Sequence, residues 1–281
     1  MSRREGHPKN SPFEVFKMFH VGESSVRLIL FWGGLLFFLT LELLIPYRKS
    51  TVSKARRWVN NLSLTLFNST LLHLIFASAI FGTVNYVQSN NLGVLNSIQA
   101  PLWIKVIFTI AFMDFMLYVW HLLNHKVPFL WRFHRVHHSD LNMDVSTATR
   151  FHIGELAISA VIKISIIYLL GATFLGVLIF ESALVLCAQF HHSSLKVPKL
   201  FEAIFRILFI PPSMHRIHHS VIIRERDTNY GTIFSLWDRM LGTFLGDVDQ
   251  KRIRIGMGAY HRPEQLDAHH LLLMPFTRPV R

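Results

Sequence analysis

The sequence predicts an all-α integral membrane protein, with four to five transmembrane helices and a cytoplasmic helical cap carrying a histidine di-metal site. Three observations lead there. Of 281 residues, 51% are hydrophobic and only 16% are charged, whereas soluble domains carry about 25% charged residues. Apolar runs approach the roughly 20 residues that cross a bilayer. And one sentence is written twice: His134-Arg135-Val136-His137-His138-Ser139 recurs as His215-Arg216-Ile217-His218-His219-Ser220, with His121, His125, His191 and His192 before and between the copies.

Residues 1–25 are mixed polar and are expected at the membrane interface. The first span is 26–45, ended by Pro46. Residues 47–61 carry five basic side chains and no acidic one. A second span follows at 62–84, and then 85–100 has no charged residue. Basic loops stay on the cytoplasmic side, so 47–61 is expected inside and 85–100 outside. A third span, 102–120, returns to the cytoplasm and delivers His121. The apolar stretch 156–190 is too long for one crossing. Gly171 and Gly176 near its middle predict a helical hairpin turning within 170–176, which returns His191 and His192 to the side holding His121–His138. Residues 200–210 form an interfacial helix ended by Pro211-Pro212, and turns follow at 229–231 and 256–258. The chain divides into N-terminal membrane helices (1–100), a histidine-bearing region (101–250) and a C-terminal cytoplasmic tail (251–281). The N-terminus falls outside in this count. Arg3, Arg4, Lys9 and Lys17 oppose that, and a first segment that does not fully cross would remove the conflict.

The formal charge is +12. Its basic residues sit beside apolar runs, as in Arg48-Lys49 and Lys54 to Arg57, which suits an anionic lipid surface and not nucleic acid. The single cysteine, Cys187, excludes an intrachain disulfide and any Cys-rich metal or iron–sulfur site. It reads as a small apolar packing residue. No cleavable signal sequence is apparent.

Neutral imidazole is the commonest protein metal ligand and suits iron, copper, nickel and zinc. His121 and His125 are four apart, on one helical face. His134, His137 and His138 follow at i, i+3 and i+4, and His215, His218 and His219 repeat that spacing. Each triplet offers three ligands, so the set suits two metals better than one. His7, His20, His261, His269 and His270 read as surface residues, while His73 and His152 are left open. Metal-bound histidines usually donate their other N–H to a carboxylate or carbonyl. Asp114, seven before His121, and Glu181, eleven before His192, lie within apolar spans on the ligand faces and are the candidate catalytic or supporting acids. Asp140, Asp227 and Asp238 have weaker claims, and Arg135 and Arg216 pair with such acids or face lipid phosphate. No Glu-x-x-His pair is present, which excludes the carboxylate-bridged di-iron bundle.

These residues resemble the fatty acid hydroxylase/sterol desaturase superfamily over about residues 100–250. The resemblance is carried by His121-x3-His125, His134-x2-His137-His138, Phe190-His191-His192-Ser193-Ser194, His215-x2-His218-His219, Asn229-Tyr230-Gly231 and Trp237-Asp238-Arg239-Met240-Leu241-Gly242-Thr243. It implies a membrane oxygenase with two iron ions, using O2 to hydroxylate or desaturate a lipid such as a sterol or fatty acyl chain. By motif the ligands are His121, His125, His134, His137, His138, His192, His215, His218 and His219, with His191 as an extra or substitute ligand. Ala188 stands where some members carry a further histidine. No haem, flavin or iron–sulfur motif is present, so electrons must come from a separate donor of cytochrome b5, ferredoxin or reductase type. The expected location is a multi-pass membrane protein with its site on the cytoplasmic side (the inner membrane in a bacterium, the endoplasmic reticulum in a eukaryote). A haem-binding electron carrier and a non-enzymatic metal-binding membrane protein are the competing readings.

Overall fold

The computed structural model describes residues 12–76 and 79–278, with side chains from residue 25. The N-terminal charges Arg3, Arg4 and Lys9 lie outside the described residues, as do the side chains of Lys17 and His20. Among the described residues the chain is helical, with no strand beyond isolated bridges such as Pro46 with Leu195. Five segments are long and apolar enough to cross a membrane: Ser25–Leu44, Lys54–Ser97, Leu102–Lys126, Ile153–Leu170 and Phe174–His192.

The helices are α1 (Pro12–Leu44), α2 (Lys54–Phe76), α3 (Ala79–Ser89), α4 (Val94–Ser97), α5 (Leu102–Lys126), α6 (Pro128–His138), α7 (Ile153–Leu170), α8 (Phe174–His192), α9 (Lys199–Phe205) and α10 (Pro212–His218). Helix α8 is the central post and packs against α1, α5 and α10. The expected hairpin is present. Gly171 adopts a left-handed conformation (φ 72°) that stops α7, and Thr173 caps α8 by accepting the Gly176 N–H at 3.1 Å. An apolar cluster of Phe81, Val84, Met113, Ile167, Val177 and Phe180 fills the bundle near this turn.

Three boundaries differ from expectation. Helix α1 starts at Pro12, so much of the polar N-terminal stretch is helical. Helix α2 starts at Lys54, inside the expected basic loop. Its charges are neutralised within the protein: buried Arg57 donates to Asp140 at 2.5 Å and to Asp144 at 2.7 Å. Finally, the uncharged 85–100 segment is helical to Ser89 and again at Val94–Ser97, because Gly93 (φ 85°) turns the chain tightly against the tip of the α7–α8 hairpin.

Beside its apolar cluster the bundle buries many polar side chains, while it exposes many apolar ones. Leu36, Leu66, Leu74 and Ile75 are exposed, whereas His138, Arg150 and Asp238 are buried. Only a lipid surround makes this distribution favourable. Helix α9 presents exposed Leu200, Phe201 and Ile204, as an interfacial helix does, but it ends at Phe205, short of the expected 210. The C-terminal residues dock on the body. Leu266, Leu271 and Met274 pack with Leu64 and Val136. Buried Arg135, expected to meet acids or lipid phosphate, instead donates to the carbonyls of Met274, Thr277 and Arg278. Arg216 stacks on Tyr47 at 3.8 Å and donates to Gln250.

A Cβ on Gly93 would fall 2.2 Å from the backbone nitrogen of Gly171. Gly93→Ala is therefore expected to lower the unfolding temperature, losing at least about 1–3 kcal/mol to backbone strain. Gly82→Ala, with nothing within 4 Å of the new carbon, serves as the neutral control in the same thermal melt.

Candidate metal centre

Four helices bring the histidines together. The last two turns of α5 carry His121 and His125. Val127 then breaks the helix, and Pro128 begins α6 with its φ already set for a helix. This corner folds α6 back beside α5, so the first triplet faces the α5 pair. Helix α8 ends on His192, and Pro211-Pro212 starts α10, which presents the second triplet.

The nitrogens form two groups, each with its ligand atoms within 4.8 Å of one another. One comprises His121, His125, His134, His138 and His218; the other comprises His137, His192, His215 and His219. The triplets do not serve one centre each, as their spacing suggested. Each is split. His134 and His138 go to the first group and His137 to the second, while His215 and His219 go to the second and His218 to the first. Helix geometry explains this. At about 100° per residue, i and i+4 are about 40° apart and i+3 swings about 60° the other way. The two copies therefore clasp two centres reciprocally, and the rings of His138 and His219 stack at 4.5 Å across the seam.

The outer nitrogens are oriented by the fold. His121 Nδ1 meets the Tyr230 carbonyl at 2.7 Å, His218 Nδ1 the Thr228 carbonyl at 2.7 Å, His192 Nδ1 the Ala188 carbonyl at 2.7 Å and His137 Nδ1 the Arg150 carbonyl at 3.2 Å. His134 Nδ1 lies 2.9 Å from Glu155, and His125 Nδ1 lies 3.4 Å from Asp227. A carbonyl can only accept, so His137 and His192 each spend their proton at Nδ1. Their Nε2 atoms are then bare lone pairs, yet they face each other at 3.1 Å. Two lone pairs at that distance require a shared positive charge, and a bound metal cation supplies one. The Nε2 atoms of His121, His125 and His218 are likewise buried without a partner. The residues present therefore fit metal. Burial, and then the neighbouring imidazoles, push His137, His138, His215, His218 and His219 well below the ordinary histidine range, so they are neutral and able to ligate.

Behind the ligands lie rigid supports. Arg150 donates to Val136 O, Asn61 and Ser139, clamping the end of α6. Burial raises the Asp140 carboxyl pKa, but Arg57 and Arg150 outweigh it and hold the group below the usual range. Asp238 accepts from the backbone of Tyr230 and Gly231 and from Thr243. It thereby fixes the turn, with Asn229 at φ 55°, that aims the Tyr230 carbonyl at His121.

The expected acids sit elsewhere. Asp114 accepts from the backbone of Ile233 and Phe234 and from Trp237 Nε1 at 2.8 Å, pinning this same turn region to α5. Glu181 pairs with Lys163 at 2.6 Å. Among the described residues, neither is hydrogen-bonded to a clustered histidine. The acids that are, Glu155 and Asp227, come from a helix start and a loop; Glu155 was missed because nothing in its spacing ties it to His134. His191 belongs to neither group. Its ring lies 4.0 Å from that of His215. His152 caps α7 through the Gly154 N–H. Asn124, also missed, is a buried amide with neither polar atom partnered.

The centre opens into a cavity of about 250 Å³. It is lined by histidines, Trp120 and Asn124 together with Phe31, Leu117, Leu156, Leu184 and Val185.

The fatty acid hydroxylase family model matches residues 106–243. Just under half of the chain is thus similar to the fatty acid hydroxylase family. The ornithine lipid hydroxylase OlsE of Rhizobium tropici is 32% identical over 146 residues, 52% of this chain and 43% of that protein. The alkylglycerol monooxygenase of Caenorhabditis elegans is 34% identical over 140 residues, 49% and 26%. Human cholesterol 25-hydroxylase is 29% identical over 140 residues, 49% and 50%. The chain thus spans half or less of the length of these curated relatives. No solved structure matches it significantly.

Glu155→Gln and Asp227→Asn are each expected to weaken metal binding about 10–100-fold, read by metal analysis after dialysis against a graded chelator. Stability should also depend on pH. The buried imidazoles stay neutral in the folded protein but take up protons in the unfolded chain. The metal-free protein should therefore lose stability as pH falls through about 6.5, a trend that melts at several pH values would register.

Proposed function

We propose that the protein is a membrane-bound di-iron oxygenase that hydroxylates, or desaturates, a C–H bond of a lipid. The supporting observation is the placement of the two histidine groups. They stand at the head of an apolar cavity inside a membrane-spanning bundle, where a lipid chain reaches them without leaving the membrane. The likeness to the family and the lipid-oxidising relatives favour the same reading.

Iron held by the two groups would supply the redox chemistry by which O2 is reduced. The chain supplies the rest. The His134–Glu155 and His125–Asp227 contacts keep the ligand rings in one orientation. The carbonyls of Tyr230, Thr228, Ala188 and Arg150 hold the protons of four other ligands on the outer nitrogen. Leu117, Leu156, Leu184 and Val185 exclude water from the substrate path. At about 250 Å³ the cavity is smaller than a typical ligand pocket of about 300–1,000 Å³, so it takes a segment of the lipid and leaves the remainder in the bilayer. Hydroxylation consumes one O2, two electrons and two protons, releasing one water. The electrons come from a separate donor of cytochrome b5, ferredoxin or reductase type. We place the centre on the cytoplasmic side, because basic Arg48, Lys49, Lys54 and Arg56 belong to the membrane end that carries the histidines.

Purified protein is expected to hold about two irons per chain. Because the triplets are split, His218→Ala and His137→Ala should each deplete a different group and abolish lipid oxidation. Mass spectrometry of lipid extracts would show a gain of one oxygen, or loss of two hydrogens, in cells with the intact gene. Full activity in either variant, or a haem Soret band, would overturn the proposal.

A further inference from the structure

Helix α7 carries Glu155, Ser159 and Lys163 at four-residue spacing, so they share one face. All three line the cavity. Glu155 holds His134 at the metal end. Lys163 stands eight residues further on (155 to 163), about 12 Å along the axis. The lining also includes apolar Leu156 on α7 and Leu184 and Val185 on α8.

The Lys163 ammonium donates to Glu181 at 2.6 Å, and Glu181 is buried. A charged pair inside a membrane-spanning hairpin is costly and marks a binding or transport path. It is not needed to close the hairpin, since Ile167, Leu170, Val177 and Phe180 already join α7 to α8 near the turn. An ammonium has three donors. Glu181 takes one, and among the described residues no other acceptor lies within hydrogen-bond distance. Lys163 therefore offers donors to the cavity at the end remote from the metal. The pair carries no net charge, so a charged ligand group gains little from it, while a neutral oxygen gains a hydrogen bond.

We propose that the Lys163–Glu181 pair binds an uncharged oxygen of the lipid substrate, a hydroxyl or an ester carbonyl, and so sets which carbon of the chain lies at the histidine groups, whose supporting Glu155 stands about 12 Å away along α7. This rests on the lipid-oxygenase reading for its meaning, but its test does not need turnover. Trp120 lines the cavity at the histidine end. A bromine on the far end of a bound chain will quench it, and Trp120→Phe identifies its share of the signal.

The experiment uses the full chain in detergent and four probes of one chain length: ω-bromododecanol, methyl ω-bromododecanoate, bromododecane and ω-bromododecanoate. The alcohol or the ester is expected to bind about ten-fold tighter than the bromoalkane, the value of one hydrogen bond to a charged donor. The better of the two identifies the oxygen as hydroxyl or carbonyl. The double variant K163M/E181L, which removes both charges and keeps the apolar packing, should reduce that ratio to below about two-fold. Lys163→Arg, which keeps the donors, should preserve it. Equal binding of oxygenated and plain chains, or an unchanged ratio in a folded K163M/E181L protein, overturns the proposal. So does tighter binding of the carboxylate than of the alcohol and ester. The measurement is made with and without iron. A protein that takes up no iron would defeat the oxygenase reading while leaving the probe ratio readable.

Discussion

The fold is organised by one constraint: nine imidazoles must be buried side by side without charge. Each positive ring would repel its neighbours in a medium that cannot screen them. For six of them the outer nitrogen meets a fixed acceptor, four carbonyls and two carboxylates, while the Nδ1 atoms of His138, His215 and His219 are buried without a partner. The lone pairs of His137 and His192, 3.1 Å apart, are the sharpest expression of that design. Such a cluster is suited to holding metal.

Much of the remaining architecture serves to hold those acceptors still. Arg150 pins α6 with its guanidinium while its own carbonyl receives His137. Asp114 anchors the 233–237 segment to α5, and Asp238 shapes the 229–231 turn whose carbonyl receives His121. Arg57 with Asp140 and Asp144 ties α2 to the segment behind the first triplet. These groups are charged and buried, so each must be fully paired, and the pairing makes the frame rigid. Lipid does the complementary work outside, where exposed leucine and isoleucine faces need no partner.

A good part of this was legible in residue order. The 156–190 stretch had to double back, because its length exceeds one crossing and its histidines had to share a side. It turns at Gly171, inside the expected window. The histidines that form both groups were all picked out, from their density and spacing and from the family motif they resemble. The roles of Asp114 and Glu181 were not legible, because helical phase puts a residue on a face but does not say which neighbour that face meets. Glu155 and Asp227 reach the ligands from other elements, and no local pattern joins Glu155 to His134. The helical start at Lys54 was hidden because its charges read as a solvated loop until buried acids neutralise them.

By itself, the sequence determined the membrane class, the hairpin and the histidine clusters, since these follow from hydropathy, run length and the spacing of the histidines, all local quantities. Only the tertiary structure decided how the ligands divide. Within each triplet, i and i+4 turn to one centre and i+3 to the other, and which centre that is depends on where α5, α8 and the opposing triplet stand. The same holds for the supporting acceptors and for the Lys163–Glu181 pair at the cavity's far end. Their partners are chosen by helix packing, which brings together residues that the chain keeps far apart.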